Sequence, residues 1–345
     1  MATTNRRIFF LGVTGYIGGS VVSRLIEHPT YKQSEIAVLV RPSKQNKNSV
    51  LESLGLKPVI GTNDDLEILT EQASQSDVVF SCADADNLRA VEAVLKGMKQ
   101  RHEKTGTRPI LIHTSGTGVF TDNAKGLHST DDIYDDMNAE QIESVSPTQW
   151  HRNVDLAVQG ADGEGYIRSY IVLPSTVYSL AKSKLVELGV QNPRSLQMPM
   201  LIRAGARRGQ AILVGKGENR WPDVHNSDLA DLFIMVYENA LSGMAGHGRE
   251  GYYFGENGEY RQYDVAKEVA KVLHEFGKSK TAEPEPLTED DYKQPENEGL
   301  LYLGTNSRCR ARRGRLLGWN PKYTTDDLLK SIRPEVEYLI RQEGI

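Results

Sequence analysis

Three glycines, Gly12, Gly15 and Gly18, follow the apolar run Ile8-Phe9-Phe10-Leu11 at three-residue intervals. A strand entering a glycine-rich turn that opens a helix is chemistry for holding a pyrophosphate, because backbone N–H groups can approach the oxygens closely. Gly12 permits the tight turn, Gly15 removes a Cβ that would meet the ligand, and Gly18 lets the helix lie close. The positive end of that helix, from Gly19 to about Ile26, would face the phosphates. A second apolar run, residues 35–41, ends in Arg41-Pro42-Ser43-Lys44. An Asp or Glu at that point accepts from the ribose 2′-OH of NAD, whereas a guanidinium and an ammonium pair with a 2′-phosphate. Arg41 and Lys44 therefore favour NADP(H), with NAD(H) as the other cofactor open to such a site.

The elements that must position these groups alternate along the first two-thirds of the chain. After the second strand comes Lys57-Pro58-Val59-Ile60-Gly61, followed by Asp64, Asp65 and Leu66, where such folds touch the adenine. Asp77–Ala83 reads as a fourth strand, about Asn87–His102 as a helix, Arg108–Ser115 as a fifth strand and Tyr166–Leu173 as a sixth. The pattern predicts an α/β, Rossmann-type, doubly wound parallel sheet with a smaller C-terminal substrate lobe. Residues 1–178 form the dinucleotide domain. Residues 179–345 form mainly the substrate lobe, partly interleaved with the first. The polar segment from about Thr121 to Pro147 reads as a loop with short helical pieces, and Lys278–Glu298 as a surface loop.

Composition narrows the function classes. The 345 residues carry a net charge of −5, so no global basic field argues for nucleic acid. The two cysteines, Cys82 and Cys309, form no C-x-x-C pair and imply no disulfide framework. The N-terminus runs straight into the first strand without a leader, and no apolar run reaches a membrane span. A cytoplasmic protein acting on a small molecule is expected, with no membrane or nucleic-acid partner and no metal; an oligomer is open.

Six segments together resemble the extended or atypical short-chain dehydrogenase/reductases, the group of the NAD-dependent epimerase/dehydratase proteins: GVTGYIGG, DVVFSCA, HTSGTGVF, VLPSTVY, WPDVHNSDLADL and LGWNPK. The resemblance covers most of the chain. It implies cofactor contacts from Thr14, Tyr16 and Ile17 in the first motif, Ser81, Cys82 and Ala83 in the second, Thr114 in the third, and Pro174 in the fourth. Members of the group carry Tyr-x-x-x-Lys on a helix about 20–25 residues before the Val-Leu-Pro that ends the sixth strand, with a Ser or Thr on the fifth strand holding the reacting oxygen. Here that place reads Pro147-Thr148-Gln149-Trp150-His151, with Pro147 on the Tyr position and His151 on the Lys position. Gly116 falls where the hydroxyl is usual. The resemblance therefore leaves Ser115 or Thr117 to hold an oxygen. His151 is left to move a proton and face the nicotinamide ribose, and Tyr134 to swing in from the loop.

Tyr178-x-x-x-Lys182 and Tyr263-x-x-x-Lys267 also match the pattern, but the first follows the sixth strand and the second lies in a C-terminal helix. Asp223 and His225 sit in the substrate-lobe motif and are expected to be structural, and His113 to be buried in mid-strand. The arginine-rich run 308–315 is expected to be a solvated helix face. Three functions stay open: an NADP(H)-dependent oxidoreductase on a small carbonyl, a sugar-nucleotide epimerase or dehydratase, and a non-catalytic NADP sensor similar to the nitrogen-metabolite-repression regulators.

Overall fold

A computed structural model describes residues 6–297 and 299–345. The expectation of a leaderless start falls on residues 1–5, outside the described residues. Ten strands matter for the site: β1 (Arg6–Leu11), β2 (Ser34–Val40), β3 (Lys57–Ile60), β4 (Val78–Ser81), β5 (Ile110–Thr114), β6 (Arg168–Pro174), β7 (Thr176–Tyr178), β8 (Arg220–His225), β9 (Tyr252–Gly255) and β10 (Glu259–Arg261). The longer helices are α1 (Tyr16–Glu27), α2 (Leu66–Ser74), α3 (Leu88–Thr105), α4 (Arg152–Gly163), α5 (Gln197–Arg208), α6 (Asn226–Ser242), α7 (Gln262–Glu275) and α8 (Thr325–Glu343).

Seven strands form one parallel sheet in the order β9-β6-β5-β4-β1-β2-β3. Strands of such a sheet are covered on both faces, which is why β4 is buried at every residue and β1 from Ile8 onward. The chain reverses direction across the sheet between β1 and β4, whose ends pair Leu11 with Ser81. This is the switch point at which open α/β sheets leave a crevice beyond the strand C-termini. Each loop that carries a site residue starts from that edge.

Beyond residue 178 the chain serves both lobes. Strand β9 extends the main sheet, and α6 packs on α1 inside the first core, together with Trp319. The second core joins α5, α7 and α8 to a smaller sheet ordered β10-β8-β7. Tyr178, Trp221 and Tyr260 are buried there. The run 308–315 is not a solvated basic helix. It is a two-residue strand, Cys309–Arg310, and a single turn, Arg313–Leu316. Its arginines are taken by carboxylates: Arg308 by Glu259, Arg312 by Asp135 and Arg313 by Glu250. Both cysteines are buried and unpaired, and among the described residues no helix is long and apolar enough to cross a membrane.

Candidate functional site

The turn after β1 shows why it needs glycines. Gly12 has φ +95°, and a Cβ there would lie 2.3 Å from the Cys82 carbonyl oxygen. A Cβ on Gly18 would lie 2.3 Å from the Gly12 oxygen, so α1 sits directly on the turn. Gly15 differs: its φ of −79° suits any residue, and its Cβ would meet nothing closer than the Gly12 oxygen at 3.1 Å. Gly15 is the N-cap of α1 and supplies no side-chain cap, so the first-turn N–H groups stay open to an anion. Gly18→Val is accordingly expected to destabilise the fold, since overpacking against backbone costs about 1–3 kcal/mol or more. Gly15→Val is expected to leave urea unfolding near wild type while abolishing dinucleotide binding. A Gly15→Val protein that still titrates with dinucleotide would remove the turn from the site.

A cleft of about 780 Å³ opens from this turn. Gly12, Thr14, Gly15, Tyr16 and Ile17 form one wall, and Cys82 and Ala83 line it from the end of β4. Arg41 and Asp64 stand at the ends of β2 and β3. Arg41 is exposed, and among the described residues no carboxylate pairs with it. Burial raises the Cys82 thiol to about 12, so it is a neutral wall rather than a nucleophile. An uncapped helix start on a glycine turn, with a guanidinium at the cleft edge, has the chemistry to hold a dinucleotide.

Several expected contacts fall elsewhere. Lys44 lies outside the cleft, on an exposed single-turn helix, Pro42–Lys47. Leu66 starts α2 and lines a separate groove between α2 and α3. Ser81, Thr114 and Pro174 are buried in the sheet and do not border the cleft. The opposite wall, Asn192, Arg194, Ser195 and Leu196, has no motif. It is brought over by the Asn192 N–H donating to the Thr14 carbonyl at 2.9 Å and by Gln191 packing over Gly19.

The proton-handling candidates separate as sharply. Ser115 and Thr117 are both buried, at 5% and 0% exposure, and the Ser115 hydroxyl donates to Asp155 Oδ2 at 2.9 Å. Tyr134 pairs in a short strand with Cys309 and stacks on Phe120 at 4.1 Å. Tyr178 is buried, its phenol donating to the Thr324 carbonyl at 2.9 Å, while Lys182 is exposed. Tyr263 and Lys267 meet Glu283 on the surface. Asp223 accepts from Thr325 at 2.7 Å, and His225 caps α6 and stacks on Tyr323 at 4.0 Å.

His151 reaches the end of β5. It is the N-cap of α4 and has φ +64°, a strained value for a residue with a Cβ. Asp86 holds it there, accepting from the His151 backbone N–H at 3.0 Å and contacting Nδ1 at 2.8 Å. Nε2 is thereby turned to the glycine turn, 3.0 Å from where a Gly116 Cβ would stand. His151 is thus not a stand-in for the distant lysine. Its ring fills the space of the hydroxyl side chain that Gly116 lacks. Asp86 itself lies between Asp84 and Asn87, which line the cleft. Beneath, His113 is fully buried and both its ring nitrogens lack a partner; burial holds it down at about 3, so it stays neutral. One turn along α4, Asp155 is also fully buried, and burial raises it to about 7 against the opposing hydrogen bond from Ser115.

Residues 4–99 match the NmrA-like family. An oxidase of an Acremonium species is 28% identical over 358 residues, covering 98% of this chain and 98% of its own. Among solved structures, a dTDP-glucose 4,6-dehydratase of Bacillus anthracis in complex with NAD aligns over 98% of both chains, at 15% identity and TM-score 0.66. A UDP-glucose 4-epimerase of Thermotoga maritima with UDP-glucose aligns over 97% of this chain and 99% of its own, at 16% identity and TM-score 0.64.

Proposed function

We propose, from the premise that this chain has the extended, atypical short-chain dehydrogenase/reductase fold with an NmrA-like first segment, that it is an NADP(H)-binding oxidoreductase acting on a small carbonyl-type substrate. Its relatives' NAD complexes and the oxidase similarity support the coarse class; the carrying observation is the His151–Asp86 pair set beside a glycine-turn cleft. We place it in the cytoplasm, where two unpaired cysteines stay reduced.

When bound, the dinucleotide supplies or accepts a hydride at its nicotinamide ring. The protein's own part is then positional. The α1 N-terminus and the Gly12–Gly15 backbone hold the pyrophosphate, and Arg41 pairs with a 2′-phosphate. Asp86 fixes the imidazole so that Nε2, and not Nδ1, faces the substrate oxygen. Nε2 then gives the proton that an alkoxide oxygen needs in reduction, or takes it in oxidation. Ser115 and Asp155 brace α4 from below and touch neither reactant.

Calorimetric titration with NADPH and NADH tests the cofactor. Wild type is expected to prefer NADPH, and Arg41→Ala to narrow that preference at least tenfold, as a charge-assisted contact is worth about 1.5–3 kcal/mol. Equal binding of both by wild type would overturn the NADP(H) assignment. Release of tightly held oxidised cofactor on denaturation of the purified protein would instead favour an epimerase or dehydratase, in which hydride is returned.

A further inference from the structure

A second cavity, of about 330 Å³, is lined by Trp150, the residue before His151, and by Tyr302. Its back is a ladder of rings. Trp221 meets Tyr302 edge-on at 4.9 Å, and Tyr302 stacks on Trp150 at 4.6 Å. The Trp221 N–H donates to the Thr305 carbonyl at 2.6 Å, anchoring the inner end. The outer end is open. Trp150 is 53% exposed, whereas the other two tryptophans, Trp221 and Trp319, are each 3% exposed. Leaving an indole face in water forgoes the stabilisation that burying it would bring. The ladder's middle ring and His151 both approach Gly118: the Tyr302 hydroxyl lies 2.9 Å, and His151 Nε2 3.5 Å, from where a Gly118 Cβ would be.

Across the mouth stands Lys125. Among the described residues no carboxylate or hydrogen-bond acceptor takes its ammonium. Asp122, in the same cavity, has its oxygens engaged by the Asn306 N–H and Nδ2 at 2.8 Å each and by the Ala124 N–H at 3.1 Å. Lys125 has φ +50°, a left-handed value for a residue with a Cβ. Its backbone is clamped: a Cβ on Gly215 would stand 2.2 Å from the Lys125 oxygen, and one on Gly304 3.1 Å from its carbonyl carbon. Strain of this kind persists only where the surroundings enforce it, and it collects at ligand sites.

We propose that this cavity binds the substrate as an aromatic anion, its ring stacked on the open face of Trp150 and its carboxylate or phenolate on Lys125. An offset stack and a charge-assisted contact are what these two groups offer. The cavity has room for one ring and a short side arm. The inference rests on the reading of His151 as the group facing the substrate oxygen, since it sets the reacting carbonyl on the side arm, between ring and imidazole.

The test is calorimetry on the full chain with cinnamate. Cyclohexanecarboxylate (the charge without the aromatic ring), cinnamyl alcohol (the ring without the charge) and UDP-glucose serve as comparators, and each titration is run with and without NADP⁺. Cinnamate is expected to bind at least tenfold more tightly than any comparator. Trp150→Ala should weaken cinnamate at least tenfold and Trp150→Phe should restore most of it. Lys125→Ala should erase the preference for cinnamate over the alcohol while leaving the alcohol unchanged. NADPH affinity, measured on the same samples, reports that each variant is folded. Cinnamate binding no tighter than cyclohexanecarboxylate, or unmoved by either substitution, overturns the proposal, as does preferential binding of UDP-glucose. Failure of the oxidoreductase reading looks different: wild type would bind cinnamate, while NADPH is either not bound or bound without being consumed.

Discussion

His151→Ala is expected to lower turnover about 10²–10⁴-fold, the usual contribution of a positioned acid or base, with NADPH affinity little changed. The ring is gripped twice by Asp86 and aims Nε2 at the space above Gly116. Nothing else among the groups proposed from sequence reaches that space, because Ser115, Thr117, Tyr134 and Tyr178 are each buried or pinned elsewhere. Tyr178→Phe is the control. It removes one hydrogen bond to the Thr324 carbonyl, which costs on the order of 1 kcal/mol of stability and should leave turnover within a few-fold of wild type. NADPH consumption across a panel of aldehydes, ketones and quinones ranks the variants. If Tyr178→Phe loses the large factor and His151→Ala keeps its rate, the proton passes through the tyrosine–lysine pair instead. If no acceptor is reduced while NADPH still binds, the chain is a sensor of the dinucleotide and not an enzyme.

The second large effect is on stability and its pH dependence. Asp155 sits under the site with its carboxyl raised to about 7 by burial, although Ser115 donates to it. Arg152, one turn before it, gives Nη1 to the Tyr252 hydroxyl at 3.0 Å and forms no ion pair with it. Burial also raises Tyr252, so that phenol is neutral. Asp86 adds a like charge. In the unfolded chain Asp155 titrates near 3.9. Between about pH 4 and 7 the folded state therefore holds the proton more tightly than the unfolded state. The stabilising contribution of Asp155 is full below about pH 4 and is lost as pH rises through about 7. Asp155→Asn keeps an acceptor for Ser115 and never ionises. Relative to its offset at pH 4, where both states are largely protonated, the variant should gain about 2–4 kcal/mol over wild type in urea unfolding at pH 8. A difference that is the same at both pH values would mean that folding does not shift the Asp155 carboxyl. The partnerless His113 beneath the site works in the opposite direction: it is held down to about 3, so its protonation destabilises the fold as pH falls below about 6.5.

What the amino-acid sequence determined by itself is the turn after β1, the parallel strands and the free cation on β2. Those are local matters. A turn with φ +95° at Gly12, a helix seated on the Gly12 oxygen and strands buried on both faces each demand a residue type at one place in the chain. The side chain with access to the reaction centre was not legible in that way. Ser115 and Thr117 have the right chemistry and follow the right strand end, yet both are buried, and the Ser115 hydroxyl is taken by Asp155 on α4, a contact between distant residues. His151 was legible as a residue type at about the right place, but its task depends on Asp86, 65 residues earlier, which alone turns Nε2 toward Gly116. The cleft's far wall at Asn192–Leu196, and the Trp150–Tyr302 stack beside Lys125, join segments separated by more than 150 residues. No periodicity or spacing encodes such meetings. They exist because the second core docks on the C-terminal edge of the sheet, and a contact between distant segments is decided only when both surfaces are packed.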